Sequence, residues 1–82
     1  MKEVDGFIKT YSVTRPYCID IQMVNIDEPD EAYEAWLYHP DVGVKMFMFA
    51  MPTSQQNYDA FIAIVEDAWS SYVGDYERMV AT

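Results

Sequence analysis

Basic residues are the scarcest chemistry in this chain: five Lys and Arg stand against fourteen Asp and Glu, a formal charge of -9 over 82 residues. The shortage is uneven. Residues 1–15 hold Lys2, Lys9 and Arg15 against Glu3 and Asp5, whereas everything after them holds only Lys45 and Arg78 against the other twelve acids. Direct binding to DNA or RNA needs clustered cations that release counterions, so nucleic acid is excluded as a direct ligand. The same field disfavours an anionic membrane surface and favours a basic protein partner.

Cysteine and histidine are nearly missing too, with one of each, Cys18 and His39. A lone cysteine excludes an internal disulfide framework, and the two together cannot make a structural zinc site. Cys18 and His39 read as a half-buried thiol and a turn-flanking imidazole, not as a nucleophile with its base. The glycines, Gly6, Gly43 and Gly74, are too far apart for a phosphate-cradling loop, and GxSxG, HExxH, CxxC and Walker patterns are absent. The expectation is a non-enzymatic protein with no cofactor and no metal. No apolar run approaches the ~18 residues of a membrane span. Glu3 and Asp5 interrupt the place where a signal peptide has its apolar core, so the expected address is the cytoplasm.

What the chain has in abundance is apolar and aromatic surface, 51% and 16% of its residues. That excludes a disordered acidic tail and fits one small domain over residues 1–82. Strands are expected at about 7–13, 17–26, 32–39 and 44–51. The clearest alternation places Tyr17, Ile19, Ile21 and Met23 on one face and Cys18, Asp20 and Gln22 on the other. Pro40-Asp41-Val42-Gly43 suits a type I turn closed by a left-handed residue, which makes the third and fourth strands a hairpin. Its register pairs Tyr38 with Lys45, Leu37 with Met46, Trp36 with Phe47, Ala35 with Met48 and Glu34 with Phe49.

Pro52-Thr53-Ser54-Gln55-Gln56 carries a capping box, with Thr53 as cap and Gln56 three residues on. Behind it Tyr58, Phe61, Ile62, Val65, Trp69, Tyr72 and Val73 recur at helical spacing, predicting one helix over about 54–73, a stop at Gly74 and a short tail over 75–82. The expected fold is α+β: a four-stranded antiparallel meander with one long C-terminal helix packed on one sheet face.

In that arrangement one face of the hairpin carries Tyr33, Ala35, Leu37, Val44, Met46, Met48 and Ala50. The other gathers Trp36, Tyr38, Phe47 and Phe49 beside Glu34 and Lys45, away from the helix. Four rings in water make a patch that monomers rarely expose without a use, so these are the candidate partner-binding residues. Lys45 is placed to lie over Tyr38 as a cation on a ring. Three covers are open: the N-terminal segment or the tail, a second copy joined through this face or the edge of the fourth strand, or a different protein.

The other candidate is the acidic loop Asp27, Glu28, Asp30 and Glu31. It lacks the ligand spacing and central glycine of a calcium loop, and Pro29 stiffens it, so it reads as a solvated turn. As an alternative function its charge offers phosphate mimicry against a basic groove. In organisation, over residues 32–77, the chain resembles some small acidic phage anti-CRISPR proteins, a short antiparallel sheet followed by an acidic helix with an aromatic end. The resemblance implies an inhibitor of a nucleic-acid-handling protein and, having no motif, transfers no functional residue.

Overall fold

The structure, a computed structural model, describes residues 8–11 and 16–81, with side chains over 16–81. The chain is α+β. In order it forms β1 (Ile8–Tyr11), β2 (Cys18–Val24), β3 (Ala32–Tyr38), β4 (Lys45–Pro52), α1 (Tyr58–Ala68) and α2 (Ser70–Ala81). The sheet is antiparallel with its strands in sequence order. β1 contributes four backbone positions, from Ile8 opposite Gln22 to Tyr11 opposite Ile19. The rest of the strand expected over 7–13, and the N-terminal segment considered as a cover, lie outside the described residues.

β2 and β3 follow the two-residue period of a half-buried sheet. Ile19 and Ile21 face the helices opposite Leu37 and Ala35, while Cys18, Asp20 and Gln22 point the other way opposite Tyr38, Trp36 and Glu34. The β3–β4 loop closes as its composition demands. The His39 carbonyl accepts from the Val42 and Gly43 amides at 3.0 and 2.9 Å, and Gly43 takes a left-handed φ of 85°.

The hairpin register holds from Tyr38–Lys45 to Trp36–Phe47 and then breaks. Ala35 pairs with Phe49, Glu34 with Ala50 and Tyr33 with Met51, so Met48 is an extra residue in β4. The expected pairs Ala35–Met48 and Glu34–Phe49 are therefore corrected by one residue. A bulge puts two neighbouring side chains on the same side of the sheet. Buried Met48 and half-buried Phe49 both join the helix-facing core, and Ala50 turns outward.

The single helix expected over about 54–73 is two. Thr53 does not cap it: the Thr53 hydroxyl donates to Glu31 Oε1 at 2.6 Å and its amide to the Glu31 carbonyl at 3.0 Å, tying the end of β4 to the loop before β3. Asn57 caps α1 instead, its Oδ1 accepting from the Ala60 amide at 2.8 Å. α1 breaks at Trp69, where the Tyr72 amide reaches back only three residues to the Trp69 carbonyl, at 2.9 Å. The Ser71 hydroxyl donates to the Ala68 carbonyl at 2.7 Å, and such serine back-bonding competes with the helical ladder and bends it. Gly74 stops nothing. α2 runs through it to Ala81, because Tyr72, Val73 and Tyr76 go on packing against the core.

The core lies between the sheet and the helices: Ile19, Ile21, Ala35, Leu37, Phe61 and Val65 are fully buried, with Tyr76 1% exposed. Phe61 meets Tyr33 and Phe49 with ring centroids 5.4 and 5.6 Å apart. Tyr76 also carries a polar handle. Its hydroxyl accepts from the His39 amide at 3.1 Å and donates to the Val44 carbonyl at 2.5 Å, so a residue of α2 holds both ends of the hairpin loop. Of the tail expected over 75–82, residues 75–81 are thus part of the helix layer and do not cover the opposite sheet face.

Candidate functional site

The face of the sheet turned away from α1 and α2 is built by alternation from three strands. One row across it is Asp20 on β2, Trp36 on β3 and Phe47 on β4; the next is Cys18, Tyr38 and Lys45. Trp36 and Phe47 meet edge to face with centroids 5.2 Å apart, and Phe47 is 45% exposed. Trp36 is fixed by its indole N–H, which donates to Glu34 Oε1 at 3.1 Å, two residues back on the same face. Of the four rings expected here, Trp36, Tyr38 and Phe47 are present and Phe49 is not. The bulge turns Phe49 inward, against Phe61 and Tyr72.

Lys45 crosses this face. Its ammonium lies 5.3 Å from the centre of the Tyr38 ring, as expected, and donates to Asp20 Oδ2 at 2.6 Å, reaching over β3 from β4 to β2. The Asp20 side chain is 7% exposed and that of Lys45 47%, so the anion is sunk in the surface and its cation caps it from the solvent side. The Asp20 hydrogen bond, and then its charge, raise the Lys45 pKa above its ordinary value. Between Asp20, Gln22, Trp36 and Lys45 is a shallow depression of about 220 Å³.

Asp20 and Gln22 were not among the candidate residues. The signal was available: an acid at the centre of the strongest apolar alternation, at the register position of a tryptophan, is out of place unless something neutralises it.

The acidic loop is organised inward. Asn25 and Asp27 take left-handed φ values of 54° and 67°, which Asn and Asp tolerate. The Asn25 amide donates to Asp30 Oδ2 at 3.3 Å, and Glu31 accepts the Asp27 amide on Oε2 at 3.0 Å while Thr53 holds Oε1. Asp27, Glu28 and Asp30 remain exposed. Among the described residues no group of three or more His, Cys, Asp and Glu is arranged to hold a metal ion, and no helix is long and apolar enough to cross a membrane.

At the hairpin end of the sheet, the Tyr17 hydroxyl donates to Glu77 Oε2 at 2.8 Å, and its ring stands edge-on to His39 and Tyr76 at 5.5 and 6.0 Å. The Glu77 hydrogen bond is the first cause of a Tyr17 pKa raised above the ordinary tyrosine value. His39 Nδ1 accepts the Asp41 amide at 3.1 Å, which uses that ring nitrogen within the loop.

Comparison with protein-family models, with curated proteins and with solved structures returns no match.

Proposed function

We propose that this protein is a small non-enzymatic interaction module that meets a protein partner through the outer face of its sheet. The reading takes the sheet as a four-stranded meander with β1 at one edge and the contact centred on β3 and β4. One observation carries it: the Trp36–Phe47 pair, with Phe47 45% exposed, on a face that neither helix covers. Aromatic anchors beside polar groups with fixed geometry are the usual centre of a protein interface. A second copy of the chain is one form the partner takes under this reading.

A photo-crosslinking phenylalanine analogue at position 47, in cells that make the protein naturally, tests it. The expected result is a discrete adduct lost in Trp36→Ala and absent when the analogue replaces exposed Ala63 on α1. An adduct of twice the chain mass identifies self-association. Equal crosslinking from both positions, or none from position 47, overturns the reading.

A second reading, an acidic nucleic-acid mimic, is supported by the exposed carboxylates of Asp27, Glu28 and Asp30 beside Glu31. It predicts association with a basic groove that weakens steeply with salt and is abolished by reversing those four charges. Binding that is insensitive to salt and lost in Trp36→Ala belongs to the first reading.

A further inference from the structure

We infer that His39 is a proton-operated latch on the β3–β4 loop: its neutral imidazole pins Asp41, and protonation releases Asp41 while the rest of the turn stays formed. The inference is independent of the interaction reading above.

The hydrogen bonding fixes the state of the ring. The Asp41 amide donates to His39 Nδ1 at 3.1 Å. An amide N–H only donates, so Nδ1 holds a lone pair and the proton of the neutral ring sits on Nε2. An imidazolium carries a proton on both nitrogens and has no acceptor. Taking up a proton therefore sets an N–H of the ring against the N–H of Asp41, and the two cannot keep their places.

The other bonds of the turn do not depend on that proton. The Val42 and Gly43 amides donate to the His39 carbonyl at 3.0 and 2.9 Å, and the His39 amide donates to the Tyr76 hydroxyl at 3.1 Å. These backbone groups do not titrate, so β3 and β4 stay joined. What protonation frees is Asp41 and the ring itself.

The surroundings receive the charged ring. His39 is half-buried, with Tyr17 edge-on at 5.5 Å and Tyr76 on its amide. Two acids flank this cluster: Asp41, exposed in the loop, and Glu77 of α2, which accepts the Tyr17 hydroxyl at 2.8 Å. Of the two described bases, Lys45 lies on the opposite sheet face and Arg78 is paired with Asp75. The ring that accepts from the loop when neutral becomes, when charged, a donor turned toward carboxylates. One proton thus selects between two forms of the hairpin end.

His39 is the chain's one histidine, so its ring resonances are unambiguous. Nitrogen-15 spectra of the labelled protein from about pH 8 to about pH 5 span the range in which histidines ordinarily charge and stay above that of ordinary carboxylates. At the upper end Nδ1 should appear as the unprotonated nitrogen. As the ring charges, the Asp41 amide should shift on the same curve. Its exchange should quicken severalfold relative to that of Val42, the ratio that one net hydrogen bond supplies. His39→Asn offers a side-chain oxygen near the place of Nδ1 and has no proton to gain, whereas His39→Phe keeps a ring and offers no acceptor. Asp41 should stay bonded at every pH in the first and stay released at every pH in the second, with the Trp69 indole resonance showing that both remain folded. A proton on Nδ1 at the upper end, an Asp41 shift that persists in His39→Asn, or a bonded Asp41 amide in His39→Phe would each overturn the inference.

Discussion

The Tyr76 hydroxyl donates to the Val44 carbonyl at 2.5 Å, across 32 residues of sequence. The same oxygen accepts the His39 amide at 3.1 Å, so one buried phenol satisfies a donor and an acceptor that flank the β3–β4 loop. Tyr76→Phe keeps the ring and removes both bonds. The expected loss is about 1–3 kcal/mol, the net worth of two hydrogen bonds at about 0.5–1.5 kcal/mol each. Urea denaturation gives the magnitude, and faster amide exchange at Val42 and Gly43 locates it; a variant as stable as the parent would show that water replaces the hydroxyl at no cost.

Asn57 and Thr53 separate the true start of α1 from the apparent one. Asn57→Ala should destabilise the protein by about 1 kcal/mol and lower its helical circular dichroism. Thr53→Ala loses the hydroxyl contacts with Glu31, keeps the backbone bond and leaves helix content unchanged, so equal helix loss in both variants would contradict the capping at Asn57.

Phe49 and Phe47, two residues apart on one strand, should respond in opposite ways. Phe49 packs on Phe61 and Tyr72, and Phe49→Ala is expected to cost about 3 kcal/mol through the cavity it leaves. Phe47→Ala should change stability by less than about 1 kcal/mol and remove partner binding. Thermal melts of the two variants decide whether the bulge sits at Met48: similar losses would mean that the register runs on unbroken.

Gly74 lies in the middle of α2, where a Cβ would meet Arg78 Nη1 at 3.6 Å, an ordinary contact with the end of a flexible side chain. Gly74→Ala should therefore stabilise the protein by about 0.5–1 kcal/mol by restricting the unfolded chain. A decrease in melting temperature would refute a continuous α2.

Lys45 and Tyr17 titrate above their ordinary values of 10.5 and 10.0, held there first by hydrogen bonds to Asp20 and Glu77 respectively. A raised pKa means that the folded state binds the proton more tightly than the unfolded state. The stability each group contributes is complete below its ordinary value and is lost as pH rises through the raised one. The urea midpoint should fall above about pH 10, and fall less in Tyr17→Phe and Lys45→Met than in the parent. Parallel curves for all three proteins would remove both contacts from the account.

The elements with a local cause were legible in the sequence. Alternation from Tyr17 to Met23 marked β2 and its two faces, and the Pro40–Gly43 chemistry marked a turn that sets the Trp36–Phe47 pairing correctly. The bulge was not legible, because Met46 to Met51 is apolar throughout and carries no phase that a one-residue slip would disturb. The break at Trp69 was hidden for a related reason: the apolar stripe continues past it, and the cause is a serine hydroxyl competing for a carbonyl. At the candidate site the aromatic pair was visible from register alone. The Asp20–Lys45 pair was not, since it crosses β3 diagonally and local pattern does not report contacts across an intervening strand.

The bulge at Met48 has a bearing on assembly. Among the described residues β4 is the terminal strand of the sheet, with Lys45 at one end, the bulge in the middle and Pro52 at the other. Each of these discourages a further strand from adding, by charge, by misaligned amides or by a missing donor. Open, fibre-like growth by strand addition is disfavoured on that side. A contact that the outer face makes with its own copy would instead close as a two-fold pair and stop at two.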